Sequence, residues 1–208
     1  MSRRRKNSLL TLIVVILVLA VYLYRLRRPI GHQQGLIGCG VACGVERWPV
    51  KTLSDASAAS VNFSPRPSTV VWLTAQPAPP SLPADSRIAP LEFQAFTVRA
   101  ILVGYKEETD RDFHLVLADP SDPSVTMIAE IPSSECSGAC SSRYANSFDS
   151  ARTALEARFG MPTNRFQSPP GEVFVDVTGV AFFDFFHHQR GVAPNAIELH
   201  PVLNLHFE

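Results

Sequence analysis

SFDSARTALEARFG, residues 147–160, is the stretch on which the fold turns. Ser147 is a good N-cap, because its hydroxyl can accept from the orphan N–H groups of a first helical turn. Phe148, Ala151, Leu155 and Phe159 then recur at three- and four-residue intervals, one apolar stripe on a helix. Gly160 and Pro162 stop it.

On either side of this helix the period changes to two. FQAFTVRAILVGYK (93–106) is rich in β-branched and aromatic residues and predicts a long strand. After the polar turn KEETDRD, FHLVLAD (113–119) alternates, with Phe113, Leu115 and Leu117 on one face and His114 on the other. Beyond the turn PSDPS, VTMIAEIP (125–132) alternates again, Val125, Met127, Ala129 and Ile131 inward, Thr126 and Glu130 outward. SSECSGACSSRYAN forms a small loop before the helix, and EVFVDVTGVAFFDF (172–185) and AIELHPVLNLHF (196–207) give two further strands. Strand, strand, strand, helix, strand, strand is the order of the OB-fold, a small Greek-key barrel. The expected fold is therefore mainly β: an OB-fold-like five-stranded barrel over residues 93–208, with one helix between strands 3 and 4. A β-sandwich is the alternative. Gly179, inside the fourth strand, offers the bend or bulge such a barrel needs.

The last strand also carries the polar chemistry. In IELHPVLNLHF, Glu198, His200, Val202, Asn204 and His206 share one face. Pro201 cannot donate to a ladder, so this strand should run at an edge or through a bulge. In an OB-fold the fifth strand lies between the third and fourth, which brings Glu130 towards Glu198 or His200, with Asp112 and His114 one strand further away. The loop before it, with His187, His188, Arg190 and Asn195, overhangs the same side. The ligand-binding candidates are Asp112, His114, Glu130, His187, Asn195, Glu198 and His200. Imidazoles and carboxylates together can hold a divalent metal or supply an acid–base pair. The plainer reading is a polar, solvent-facing sheet surface, with His187 and Asn195 bonding the backbone of their loop. No H-E-x-x-H, G-x-S-x-G, P-loop or dinucleotide fingerprint is present. Phe182, Phe183, Phe185 and Phe186 are expected in the core or in a partner patch.

Residues 46–92 are rich in proline from Pro65 to Pro90, but contain Trp48, Phe63 and Trp72, and so predict an ordered segment packed on the barrel. A short strand is expected around Thr69–Leu73, with Trp48 and Trp72 covering an open end of the barrel. Lys51 and Asp55 are expected as a capped turn with an ion pair.

Residues 9–24, LLTLIVVILVLAVYLY, are apolar apart from Thr11, and lie between Arg3, Arg4, Arg5 and Lys6 on one side and Arg25, Arg27 and Arg28 on the other. At ~1.5 Å per residue they cover roughly 24 Å of a hydrocarbon core ~30 Å thick, and snorkelling of the flanking bases extends that. Residues 1–28 are read as an uncleaved N-terminal transmembrane anchor and 29–45 as a linker. The end of the apolar run lacks a small-residue cleavage site. Leu36-Ile37-Gly38-Cys39 resembles a bacterial lipobox, but stands far beyond the apolar run. The basic residues favour a cytoplasmic N-terminus by a narrow margin. The four cysteines, Cys39, Cys43, Cys136 and Cys140, are disulfide candidates in an oxidising compartment. Their C-x3-C spacing permits local pairs and departs from the usual zinc knuckle.

Of the 19 basic residues seven precede Glu46, against none of the 19 acidic ones, so residues 46–208 carry twelve bases and nineteen acids, a balance of −7. Nucleic-acid affinity rests on Lys/Arg neutralising phosphates, so this part is expected to be a poor general binder of DNA or RNA.

The phrases ERWPVKTLSD, DFHLVLAD, MIAEIP, VTGVAFFDF and GVAPNAIELHPVL, spread over residues 46–207, resemble an uncharacterised family of bacterial extracytoplasmic proteins. Its loop after the fourth strand has the form H-G-Q-T-G-x-A-P-N-x-I-E-L-H-P-V. His187, Gln189, Gly191, Ala193–Asn195 and Ile197–Val202 match it; His188 stands where glycine would, and Arg190 where threonine would. The resemblance implies a bacterial exported domain and no catalytic role. The chain is thus read as a membrane-anchored extracytoplasmic (periplasmic or cell-surface) module that binds an unnamed protein or small molecule. The alternative is a metal-assisted, nuclease-like hydrolase using the carboxylate and histidine group.

Overall fold

Alternation of apolar and polar side chains builds the barrel. The computed structural model describes residues 39–208, so the predicted anchor lies outside the described residues. The strands are β1 (Asn62–Ser68), β2 (Gln94–Glu107), β3 (Phe113–Ala118), β4 (Thr126–Ile131), β5 (Phe174–Phe183) and β6 (Ile197–Phe207). The helices are α1 (Trp48–Lys51), α2 (Val70–Thr74) and α3 (Ala145–Phe159). The sheet runs β1-β2-β3-β4-β6-β5, and β5 also pairs with β2. Strands β2 to β6 therefore close a five-stranded barrel with one helix, α3, between its third and fourth strands. β4 and β6 run parallel; the other barrel pairs are antiparallel.

The predicted inward positions fill the interior: Leu115 and Leu117 from β3, Met127, Ala129 and Ile131 from β4, Leu199 and Leu205 from β6. Pro201 lies in the interior of the sheet rather than at an edge. The ladder accommodates it by register shifts on either side of Gly179, opposite Val202. A side chain at Gly179 would bring its Cβ within 2.9 Å of the Pro201 carbonyl, so the bulge needs glycine there.

Two helices plug the two ends. Ala151 and Leu155 of α3 enter the core at one end, and Phe159 packs on Tyr105 and Phe207. The helix starts at Ala145, two residues before the expected Ser147 cap; Tyr144 holds the N-cap place without a side-chain bond. The other end corrects the expected strand at Thr69–Leu73, which is helix α2, while the strand lies earlier, at Asn62–Ser68. Thr69 caps α2 by accepting from the Trp72 N–H, and Val70 and Leu73, three apart on one face, drop into the core. Trp72, the expected cover, stays 41% exposed.

A second, smaller core lies outside the barrel wall, where Trp48, Leu53 and Val61 meet Cys136, Phe148 and Val180. The cysteines bind this layer in place. They form no local pairs but cross between segments, Cys39 with Cys140 and Cys43 with Cys136. The reason is geometric: residues 39–43 lie along the 135–140 loop, with Val41 bridging to Cys136 and accepting from the Ser137 N–H. Two such disulfides fit an oxidising environment.

Closing loops 101 and 93 residues long makes the first cross-link worth about 4–5 kcal/mol and the second, which closes only the short loop left between them, about 2–3 kcal/mol. Replacing Cys39 and Cys140 with serine should cost about 2–3 kcal/mol, and replacing all four cysteines about 7, enough to unfold a domain of ordinary stability. Urea denaturation without reductant measures both.

Candidate functional site

The strand register gathers the polar residues. His114 on β3 and Glu130 on β4 are direct cross-strand partners, and Glu198 on β6 pairs with Ile128 of β4 and Phe182 of β5. His200 lies two residues along the same face. Asp112 precedes β3, and its carboxylate accepts from the Ser133 N–H at 3.4 Å.

This face is not the solvent-facing surface the alternation implied. Asp112, His114 and His200 are wholly buried, and Glu130 and Glu198 nearly so. The cover comes from α1 and from the loop between β5 and β6. Arg47 and Lys51 lie over the Phe182 ring, at 4.6 and 5.5 Å from its centre, and His200 meets the same ring edge-on. The β5–β6 loop reaches over His114. Its Gly191 has φ +86°, and a Cβ there would strike Val116 at 2.5 Å, so glycine allows the loop to lie flat on β3. His188, at the glycine place of the resembled pattern, has a left-handed φ of 56°.

Glu130 is the centre of the site. One oxygen is 2.9 Å from His114 Nδ1, the other 3.2 Å from His200 Nδ1. His114 Nε2 meets the Arg190 carbonyl at 3.2 Å. A carboxylate and a carbonyl only accept, so both ring nitrogens must donate and His114 is an imidazolium. Burial works against that charge, but Glu130 outweighs it and holds His114 above its ordinary range. The reverse holds for Glu130: burial favours its acid form, yet the two imidazoles and Lys51 keep it well below. Burial opposes the charge on His200 too, while Asp112, Glu130 and Glu198, the last at 3.3 Å from Nδ1, hold it well above. Burial, then the charges of Glu130 and Asp184, pushes the Glu198 carboxyl up to about 7 against the pull of His200. Lys51, 2.8 Å from Asp184, remains an ammonium despite its burial because Glu130, Glu198 and Asp184 surround it.

Of the sequence candidates, Asp112, His114, Glu130, Glu198 and His200 form one connected group. His187 stands apart at the rim, 2.8 Å from Glu46. Asn195 is a loop staple, its amide donating to the Leu73 and Gln76 carbonyls and its oxygen accepting from the Ile197 N–H. Phe182 and Phe183 are core; Phe185 and Phe186 are exposed. Lys51 and Asp55 do not pair with each other: Lys51 reaches Asp184, and Asp55 takes Arg87. Sequence reading missed Arg47, Arg87 and Glu92. The signal was in ERWPVKTLSD, where Arg47, Lys51 and Asp55 recur every four residues beside the apolar Trp48, Val50 and Leu53. Charges at that spacing on a packed segment need buried partners.

A cleft of ≈ 150 Å3 opens above Glu130, lined by Glu46, Lys51, Glu108, Thr109, Asp110, Asp184, His187 and Gln189. A neighbouring cleft of ≈ 180 Å3 shares Glu46, Lys51, Thr109 and Asp110 with it. Three groups have donor atoms close enough to share a cation: Glu46, Asp184 and His187 at the rim; Glu108, His114 and Glu130; and Asp112, Glu130 and His200. A larger cavity, ≈ 530 Å3, is apolar, walled by Trp72, Pro77, Pro79, Ile88, Leu91 and others, with Arg66 its single charged side chain.

Removing Lys51 takes away the ammonium that faces Asp184, Glu198 and Glu130 and leaves the buried Asp184 carboxylate without its ion-pair partner. Lys51→Met should destabilise the protein by about 3–5 kcal/mol. Adding Asp184→Leu should recover part of this, with a coupling energy of about 1–3 kcal/mol in a double-mutant cycle read by urea denaturation.

No protein-family model, no curated protein and no solved structure matches the chain. The resemblance noted for residues 46–207 is carried by the phrases quoted for it.

Proposed function

We propose that the chain is a membrane-anchored extracytoplasmic binding domain, an OB-like barrel whose acidic cleft takes a cationic group of its ligand. The observation that carries this reading is the lining of the cleft: Glu46, Glu108, Asp110, Glu130 and Asp184 converge there against Lys51 and His187. A carboxylate-lined concavity with low-dielectric walls concentrates cations. It also offers charge-assisted hydrogen bonds to a guanidinium or ammonium, shorter and stronger than neutral ones. The balance of −7 over residues 46–208 acts in the same sense and against nucleic acid.

The OB-like reading is supported by the place of α3 between the third and fourth barrel strands, and by β6 lying between β4 and β5. The anchor is supported by the apolar run 9–24 and its basic flanks, and the compartment by the two disulfides. A second reading, metal-assisted hydrolysis, draws on the His114–Glu130–His200 chain. A catalytic metal needs a position open to substrate. Asp112 and His200 are wholly covered, which favours binding over turnover.

Calorimetric titration of the full chain with the tripeptide Gly-Arg-Gly should give a binding isotherm that its neutral citrulline counterpart does not. Asp110→Asn should weaken it about tenfold. Equal responses to the two peptides would end this reading. Cell fractionation should find the full chain with membranes, and a chain lacking residues 1–28 should not pellet with them.

A further inference from the structure

We infer that a divalent transition-metal ion, with zinc the best fit, binds beneath the cleft between Asp112, His200 and Glu130. The inference deepens the cationic-cleft reading by naming an inorganic cation that passes through it.

Two buried atoms carry the argument. Asp112 Oδ2 and His200 Nε2 belong to wholly buried side chains, and among the described residues neither has a hydrogen-bond partner. They face each other at 3.2 Å without the alignment of a hydrogen bond. With Nε2 deprotonated both atoms are acceptors, and each stays unmatched until a cation sits between them. Two ligands each about 2.0–2.2 Å from one cation lie roughly 3.0–3.5 Å apart, which is the separation seen here.

The surroundings suit the ion. His200 Nδ1 is held by a carboxylate oxygen of Glu198 at 3.3 Å. A metal-ligating histidine commonly donates its second N–H to a carboxylate, which fixes the tautomer and turns the other nitrogen to the metal. One donor atom from each of Asp112, Glu130 and His200 lies within 4.8 Å of the other two. His114 is excluded as a ligand, since both its nitrogens already donate. One imidazole and carboxylate oxygens form a mixed donor set suited to zinc more than to magnesium or calcium, which take oxygen alone. On binding, the ion takes the place of any proton on His200 Nε2, and that proton leaves to solvent. Glu130 joins this site to the acidic cleft, which it also lines.

The test uses the full, oxidised chain, stripped by chelator and dialysed, then titrated with zinc chloride by calorimetry and measured for bound metal by mass spectrometry. One zinc per chain is expected. Asp112→Asn and His200→Ala should each weaken it by more than about 100-fold, while His206→Ala, on the exposed end of the same strand, leaves it unchanged. Should His200→Ala not fold, cobalt loaded into the wild-type chain decides. A visible ligand-field band of a site with nitrogen and oxygen donors supports the proposal; no band and no bound metal overturns it. Zinc binding that survives both variants, or that is lost in Glu46→Gln/His187→Ala but kept in His200→Ala, also overturns it. The latter outcome would leave the cationic cleft standing with its ion at the rim. Loss of Gly-Arg-Gly binding with zinc retained would reject the cleft reading and keep the metal.

Discussion

Arg47 holds the outer layer to the barrel, and the site exists because it does. All five of its N–H donors are used. Nε meets the Pro83 carbonyl, and one terminal nitrogen meets Glu92 and the Phe183 carbonyl. The other terminal nitrogen meets Glu92 and the Ser86 carbonyl. Neither Arg47 nor Glu92 exposes any side-chain surface. Burying that pair is expensive, and only complete hydrogen bonding offsets the desolvation. The bidentate geometry is what a guanidinium supplies and an ammonium does not. One side chain thereby ties α1, the proline-rich wrap and the end of β5 together, and sets Lys51 over Phe182.

The outer face of β3, β4 and β6 follows from that constraint. A sheet face bearing His114, Glu130, Glu198 and His200 would be unremarkable in water. Under α1 and the β5–β6 loop each charge must find a partner within the layer. The partners come from different elements: Lys51 from α1, the Arg190 carbonyl from the loop, Asp112 from the turn before β3. Such a layer is registered by its charges, since a slip of one residue in β6 would turn Glu198 and His200 into the apolar interior. The crossed disulfides act at the other edge of the same layer, through Cys136 and Cys140.

The barrel was legible because its physics is local. Alternation, with β-branched and aromatic enrichment in the longest strand, marked all five barrel strands to within two residues, and Gly179 marked the bulge. Thr69–Leu73 misled because VVWLT is β-branched and aromatic, and a single helical turn is too short for its period to show against that propensity. The candidate site was half legible. Alternation put Glu198 and His200 on one face, and the assumed strand order brought Glu130 and His114 near them. Burial of that face was not legible, because it depends on Arg47 finding Glu92 across 45 residues and on cysteines crossing between segments about 100 residues apart. Neither contact leaves a local pattern.

Glu130 links the buried layer to solvent. It lines the cleft and touches both imidazoles, so a charge arriving in the cleft acts on His114 and His200 through one carboxylate. In a low-dielectric layer that coupling is strong: a cation near Glu130 draws on the same negative charge that stabilises the two imidazoliums. Occupancy of the cleft and the charge state of the layer beneath it are then one equilibrium with reciprocal effects. A solvent-facing histidine pair, screened by water and salt, would not have this property. The burial of His200 is what lets a charge placed near Glu130 act on it.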